Sequence, residues 1–294
     1  MSVAEAVWRN GRVGEPARKP AVLNFLTETC GSTWGTTARV LCNKAVYSLF
    51  RVLRKAPPSG TLQAPWHWYR FPFSLRDQVL WSRSLEGWFI PKNEAAIECM
   101  LHMEGYEPTD WVAPQEGDVF LDVGAFVGWR TIHAARIVGP TGRVISLEPD
   151  PINRAQLEAN LALNGITNCT ISPLAAWSKS GEQLGWYTEK SPDCCRVDVD
   201  ERSASVRTTT IDDLVNDLHL DRLNWIKMDI EGGEIEALKG AEHTLRQCRP
   251  SLFVEVHDTV DGVKDLLARY DYAIEKEVYD SSPTPHGWYV ARAS

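Results

Sequence analysis

The 294-residue sequence has no run of about 18 apolar residues, so no segment of it reads as a spanning helix. Its opening residues, MSVAEAVWRNGRVGEP, lack an apolar stretch followed by a small-residue cleavage site, and no secretory signal is expected. Cys-x-x-Cys is absent. The seven cysteines (30, 42, 99, 169, 194, 195 and 248) are scattered and odd in number, which supports neither structural zinc nor a disulfide framework and makes a reducing cytoplasm the expected compartment. The Cys194-Cys195 pair falls in a polar loop and reads as a bystander. Internal repeats and low-complexity tracts are also missing. Positive charge is scarce outside one region. Residues 1–60 hold nine Lys/Arg against three Glu, a balance of +6, so the remaining residues carry −14 to give the net −8. An acidic body does not suit a nucleic-acid enzyme, whose binding face must neutralise phosphates.

What is present divides into three stretches. Residues 1–60 read as a basic leader, partly helical: in 38–55, Val40, Leu41, Ala45, Val46, Leu49, Phe50 and Leu53 fall on one helical face, and the leader reads as a solvated or loosely packed segment in preference to a contact with an anionic membrane surface. Pro57-Pro58-Ser59-Gly60 then breaks the chain. Residues 61–116 form a Trp-rich cap or lid segment (Trp66, Trp68, Trp81, Trp88, Trp111) with a helix expected from Asn93 to Gly105. Their aromatic rings suit the wall of an acceptor pocket or, equally, a small core. Residues 117–294 alternate short apolar runs with helical patterns. Strands are expected at 118–124, 143–149, 168–176, 224–230 and 251–257. Helices are expected after Gly128, from an Asp150 cap to Asn164-Gly165, over 211–220, over 233–248 and after Asp261. That alternation predicts an α/β fold with a mainly parallel sheet. The runs 272–279 and 287–293 predict a terminal antiparallel hairpin.

Two features carry chemistry. Asp122-Val123-Gly124-Ala125-Phe126-Val127-Gly128 follows the first strand and opens a helix, where backbone N–H groups face a ligand. Glu148 ends the next strand, 24 residues after Gly124, where an acid accepts hydrogen bonds from ribose hydroxyls. The ligand is then a nicotinamide dinucleotide, as in an NAD-dependent oxidoreductase, or S-adenosylmethionine. Phe126 occupies the place of the middle glycine that a pyrophosphate needs, and this favours S-adenosylmethionine, which has none.

The segments EGYEPTDWVAPQEGDVFLDVGAFVG, VISLEPDP, NLALNG, TTTIDDL, WIKMDIEGGEIEALKGAEHTL and RPSLFVEVHD resemble the FkbM family of methyltransferases over residues 104–258. Phe126 and Arg130 depart from its usual Asn and aromatic residue at those positions. The resemblance implies a class I, Rossmann-like methyltransferase fold that binds S-adenosylmethionine and O-methylates a hydroxylated small molecule, such as a sugar or polyketide-type secondary metabolite. It implies that Asp122, Gly124, Ala125, Phe126 and Gly128 line the methionine end, that Thr131 reaches its carboxylate, and that Glu148 holds the ribose. Pro149 and Asp150 would lie beside the adenine, with Ala176 and Trp177 near its other face.

At the fourth and fifth strand ends, Asp229 and Glu231 share one side of the chain, as do Glu255 and His257. Asp229, Glu255 and His257 are the candidate catalytic groups. His257 is the expected general base, because an imidazole titrating near ~6.5 is mostly neutral at cellular pH. A magnesium ion on Asp229 and Glu231 is a secondary reading. His67, His102, His133, His219, His243 and His286 have no comparable placement and read as structural or surface residues.

Overall fold

The computed structural model describes residues 29–31, 33, 35–43, 74–82, 86–92, 109–188, 195–198, 205–279 and 286–293. Its centre is a seven-stranded sheet. The strands are β4 (Val119–Val123), β5 (Arg143–Leu147), β6 (Cys169–Ser172), β11 (Trp225–Met228), β12 (Ser251–His257), β13 (Tyr272–Tyr279) and β14 (His286–Ala293), in the order β13-β14-β12-β11-β4-β5-β6. The first five run parallel, and the last two form the expected antiparallel hairpin. From β4 the chain first builds outward through β5 and β6, then returns to the other side of β4 with β11. The order therefore reverses between β4 and β11, the position where parallel sheets open a crevice beyond their carboxyl ends.

Alternation along the strands fills both faces. Leu121, Val123, Ile145, Leu147, Ile226, Met228, Leu252 and Val254 point to one side. They pack there against helices α3 (Ile211–Asp217), α4 (Glu234–Lys239), α5 (Glu242–Gln247) and α6 (Val260–Arg269). Phe120, Val144, Trp225 and Phe253 point to the other side and meet Ala134, Ala135 and Val138 of α1 (Trp129–Val138). Burial on both faces is why these strands read as continuous apolar runs. Helix α2 (Pro151–Leu163) starts as expected: the Asp150 carboxylate accepts from the N–H groups of Ile152 and Asn153, and Pro151 occupies the first turn. Thr210 likewise caps α3 through Asp213 N–H.

Two expected elements divide. Pro173, with no N–H to give, follows β6, and Ala175–Ala176 (β7) leaves the main sheet to pair with β10 (Ser205–Thr209). With β8 (Gln183–Thr188) and β9 (Cys195–Asp198) these form a separate four-stranded sheet, ordered β7-β10-β8-β9, that the sequence pattern did not signal. The helix expected over 233–248 breaks at Gly240 into α4 and α5. A Cβ at Gly240 would overlap the Trp177 carbonyl oxygen, and the Asp212 carboxylate of α3 caps α5 by accepting from His243 and Thr244 N–H.

A three-stranded antiparallel sheet, β1 (Thr29–Gly31), β2 (Leu80–Ser82) and β3 (Gly87–Phe89), draws on residues from both sides of position 60, where a boundary was expected. Residues 35–43 are helical; Val40 is buried with Leu75, Leu80, Phe89, Ala125 and Ile132, whereas Leu41 is exposed. The rest of the expected 38–55 helix and the helix at 93–105 lie outside the described residues, as do Trp66 and Trp68. Trp81 and Trp88 are buried and pack edge-to-face, with ring centroids 5.1 Å apart, so they form a small core rather than an acceptor wall. No helix among the described residues is long and apolar enough to cross a membrane.

Candidate functional site

The site is built on the β4/β11 reversal. Asp122, the penultimate residue of β4, is fully buried, and Lys227 of β11 lies beside it with Nζ 3.2 Å from Asp122 Oδ1. Lys227 Nζ also donates to the Gly124 carbonyl at 2.8 Å and sits 3.8 Å from Asp229 Oδ2. A buried carboxylate requires such a partner, because desolvation of a lone charge costs several kcal/mol. One ammonium therefore ties the strand tip, the turn that follows it and the neighbouring strand tip together.

The turn itself uses left-handed backbone at Gly124 (φ 80°), Phe126 (φ 49°) and Gly128 (φ 93°). Gly124 is required for space as well as conformation, since a Cβ there would overlap the Asp229 carbonyl oxygen. Ala125 is buried, and the Phe126 ring meets Trp129 edge-on at 5.4 Å. The turn closes on Glu148, just beyond β5: Phe126 N–H donates to Glu148 Oε2 at 2.7 Å and Asp150 N–H to Oε1 at 3.0 Å. Burial pushes the Glu148 carboxyl up to about 8 despite those two donors and the charge of Lys227. Pro149 and Asp150 follow it, and the Arg154 guanidinium donates to the carbonyls of Glu148 and Pro149. Ala176 is buried. Trp177 is half-buried, and its ring lies against Gly233 at the start of α4.

Thr131 differs from expectation. It is fully buried, and its hydroxyl donates to Asp122 Oδ2 at 2.7 Å and lies 2.8 Å from Ser146 Oγ. The first turn of α1 directs this hydroxyl into the sheet, where it is occupied by Asp122, so it does not face a ligand carboxylate at the helix start.

On the other side of the reversal, the tips of β11 and β12 converge. His257 Nδ1 lies 3.3 Å from Glu234 Oε1, and its Nε2 is 3.6 Å from Glu231 Oε2 and 3.8 Å from Glu255 Oε1. Glu234 is completely buried; Gly232 N–H donates to its Oε1 and the Thr259 hydroxyl to its Oε2. Burial alone would push the His257 imidazole down. The Glu234 hydrogen bond and the charges of Asp229, Glu231 and Glu255 outweigh it, raising the pKa to about 10. The neutral, proton-accepting His257 expected from the sequence is thus replaced by an imidazolium at neutral pH. The cause is tertiary: four carboxylates face one ring.

Three residues here were not singled out in the sequence. Lys227 had a signal, a single charge inside the apolar run WIKM, and charges on a doubly buried strand are almost always paired. Glu234 had none beyond its place in the family segment. His286 was set aside as structural, yet the hairpin register puts it opposite His257. Its Nε2 lies 2.8 Å from Glu255 Oε1, and the two imidazole centroids are 4.9 Å apart. Nitrogen or oxygen atoms of Asp229, Glu231 and His257, and separately of Glu255, His257 and His286, lie within 4.8 Å of one another.

A seven-stranded sheet of this order, with an antiparallel terminal hairpin and an acid after the second parallel strand, is the class I, Rossmann-like methyltransferase fold. The chain belongs to the FkbM methyltransferase family: the model of the methyltransferase FkbM domain matches residues 122–279. It is 31% identical over 168 residues to the hexuronic acid methyltransferase AglP of Haloferax volcanii, covering 55% of this chain and 66% of that protein. It is 25% identical over 217 residues to the AMB antimetabolite synthetase AmbE of Pseudomonas aeruginosa, covering 58% of this chain and 10% of that protein. The chain thus spans less than two thirds of the length of either curated relative. Among solved structures, a methyltransferase FkbM of Methylobacillus flagellatus aligns with a TM-score of 0.46 and 23% identity, over 63% of this chain and 46% of that one.

Proposed function

We propose that the protein transfers the methyl group of S-adenosylmethionine to a hydroxyl of a sugar-like small molecule. The observation that carries this reading is the closure of the Gly124–Gly128 turn on the buried Glu148 carboxylate, beside the β4/β11 crevice. Each Glu148 oxygen accepts one backbone N–H and keeps lone pairs for ribose hydroxyls. Asp122, Gly124, Ala125, Phe126 and Gly128 form the methionine side, and Pro149, Asp150, Ala176 and Trp177 the adenine side. The relative named as a hexuronic acid methyltransferase supports an acceptor rich in hydroxyls. An NAD-dependent oxidoreductase fits less well, because Phe126 turns its ring onto Trp129 where a pyrophosphate would need an open glycine.

In the transfer, an acceptor oxygen forms a bond to the methyl carbon as the carbon–sulfur bond breaks and its electron pair returns to sulfur. The hydroxyl proton must leave. Asp229 takes it in this reading: of the acids at these strand tips it is the most accessible, with a third of its side chain exposed. His257 acts through its charge, holding Glu231, Glu234 and Glu255 in one arrangement. Calorimetry with S-adenosylhomocysteine is the direct test. The wild type binds it, and Glu148→Ala weakens binding by about 1–3 kcal/mol, the scale of two hydrogen bonds to the carboxyl. Equal affinity of the two proteins would remove the ribose assignment.

A further inference from the structure

We infer that the tips of β12 and β14 form a binding site for one divalent first-row transition cation, held by His257, His286 and Glu255. Sequence spacing alone would have pointed to Asp229 and Glu231, a set made only of oxygen donors. The fold adds two imidazoles from two different strands, and this changes the class of ion. Imidazole with carboxylate suits manganese, cobalt or zinc, whereas magnesium prefers oxygen ligands and retained waters.

The geometry is that of a ligand set. One donor atom each of Glu255, His257 and His286 lies within 4.8 Å of the other two, and an ion among them replaces the Nε2 proton of the His257 imidazolium. Atoms each about 2.1 Å from one ion stand roughly 3.0–3.5 Å apart. Glu255 Oε1 lies 2.8 Å from His286 Nε2 and 3.8 Å from His257 Nε2, so small side-chain adjustments would complete the contacts. The ring orientation is the independent sign. Histidines that bind metal give their second ring nitrogen to a carboxylate, which fixes the ring and aims the other nitrogen. Here that carboxylate is Glu234. It is fully buried and anchored by Gly232 N–H and the Thr259 hydroxyl, and with Nδ1 beside it, Nε2 faces the Glu231 and Glu255 oxygens. His286 reaches Glu255 at 2.8 Å from the opposite strand, and its ring is braced edge-on by Trp288 at 4.8 Å.

The use of the ion rests on the methyl-transfer reading. A hydroxyl held on a divalent cation is more acidic, and Asp229, on the accessible flank of the cluster, is placed to receive its proton.

The test uses the full chain, stripped with a chelator and then titrated with manganese or zinc by calorimetry and with cobalt by visible absorption. One equivalent per chain is expected, with magnesium at least tenfold weaker. His257→Ala and His286→Ala should each lower manganese affinity at least tenfold, and Glu234→Gln by about tenfold or more, the range for carboxylates behind a liganding histidine. Far-UV circular dichroism checks the fold of each variant. Should His257→Ala not fold, His286→Ala and Glu255→Gln carry the same expectation. No saturable binding, a preference for magnesium, or affinity unchanged in His286→Ala and Glu255→Gln overturns the site. S-adenosylhomocysteine binding is measured separately on the stripped protein. Cofactor binding without metal binding defeats the metal inference alone, and metal binding without cofactor binding defeats only the methyl-transfer reading.

Discussion

Glu148 holds a carboxylate almost wholly out of water at the rim of the sheet, and its titration gives a sign that can be checked. Its folded pKa is raised from 4.5 to about 8. The folded state therefore keeps a proton that the unfolded chain has released between those values. The associated stability is complete below about pH 4.5 and is lost as pH rises through 8, a change on the order of a few kcal/mol. Glu148→Gln has no such titration. Whatever constant offset it brings from one mismatched backbone contact, its melting temperature should gain on that of the wild type between pH 5 and 8.5 in calorimetric scans. A difference that stays flat across that range would mean that the carboxyl ionises normally. Lys227 poses the opposite case. Lys227→Met removes the ammonium that is bonded to the Gly124 carbonyl and ion-paired with the fully buried Asp122. Leaving such a charge unpaired costs roughly 3–5 kcal/mol, which urea denaturation would read as a lower midpoint. A stable Lys227→Met protein would show that Asp122 is neutralised in some other way.

At the scale of elements, α2 does more than cover the sheet. Gln156, Asn160 and Asn164, spaced four apart, act as hydrogen-bonding partners for Trp88 of β3 and for Ile90 just beyond it. Asn164 accepts from Trp88 N–H and donates to its carbonyl, Asn160 accepts from Ile90 N–H, and Gln156 donates to the Ile90 carbonyl. Asn160 also donates to the Val127 carbonyl at 2.8 Å, which couples the small N-terminal sheet to the glycine turn. Asn160→Leu keeps the volume but strands a buried N–H and a buried carbonyl. At about 1–3 kcal/mol for each unsatisfied group, the loss should be about 2–6 kcal/mol in stability. It should also weaken S-adenosylhomocysteine, because the turn loses a tether. A variant destabilised by this amount with wild-type cofactor affinity would confine Asn160 to packing. The break at Gly240 is a smaller device of the same kind. Asp212→Ala removes the borrowed cap of α5 and should cost about 1 kcal/mol in thermal unfolding.

For the whole molecule, the terminal hairpin decides whether the sheet is complete. β14 lies between β12 and β13 and contributes the buried Trp288, Tyr289, Val290 and Ala291 as well as His286. A chain ending at residue 271 would uncover the edge of β12 and one flank of the site together. It should show no cooperative melt by circular dichroism, since the exposed edge and apolar face invite aggregation. A sharp transition in that truncated chain would show that the five parallel strands fold without the hairpin.

The sequence by itself determined the α/β alternation, the terminal hairpin, the caps of α2 and α3, and the pairing of the Gly124–Gly128 turn with Glu148. Each rests on short-range physics: strand runs buried on both faces, side-chain caps, and a glycine where no Cβ fits. Only the tertiary structure decided the rest. The sheet of β7–β10 escaped notice because its strands are short and half polar, with partners fixed by long-range pairing. Trp81 and Trp88 proved to be core because their burial depends on α2. His257 changed character because charges from α4, β12 and the β11 tip meet at one ring, and His286 joined it through the register of a hairpin. Electrostatic environments are sums over neighbours in space, and local sequence does not contain them.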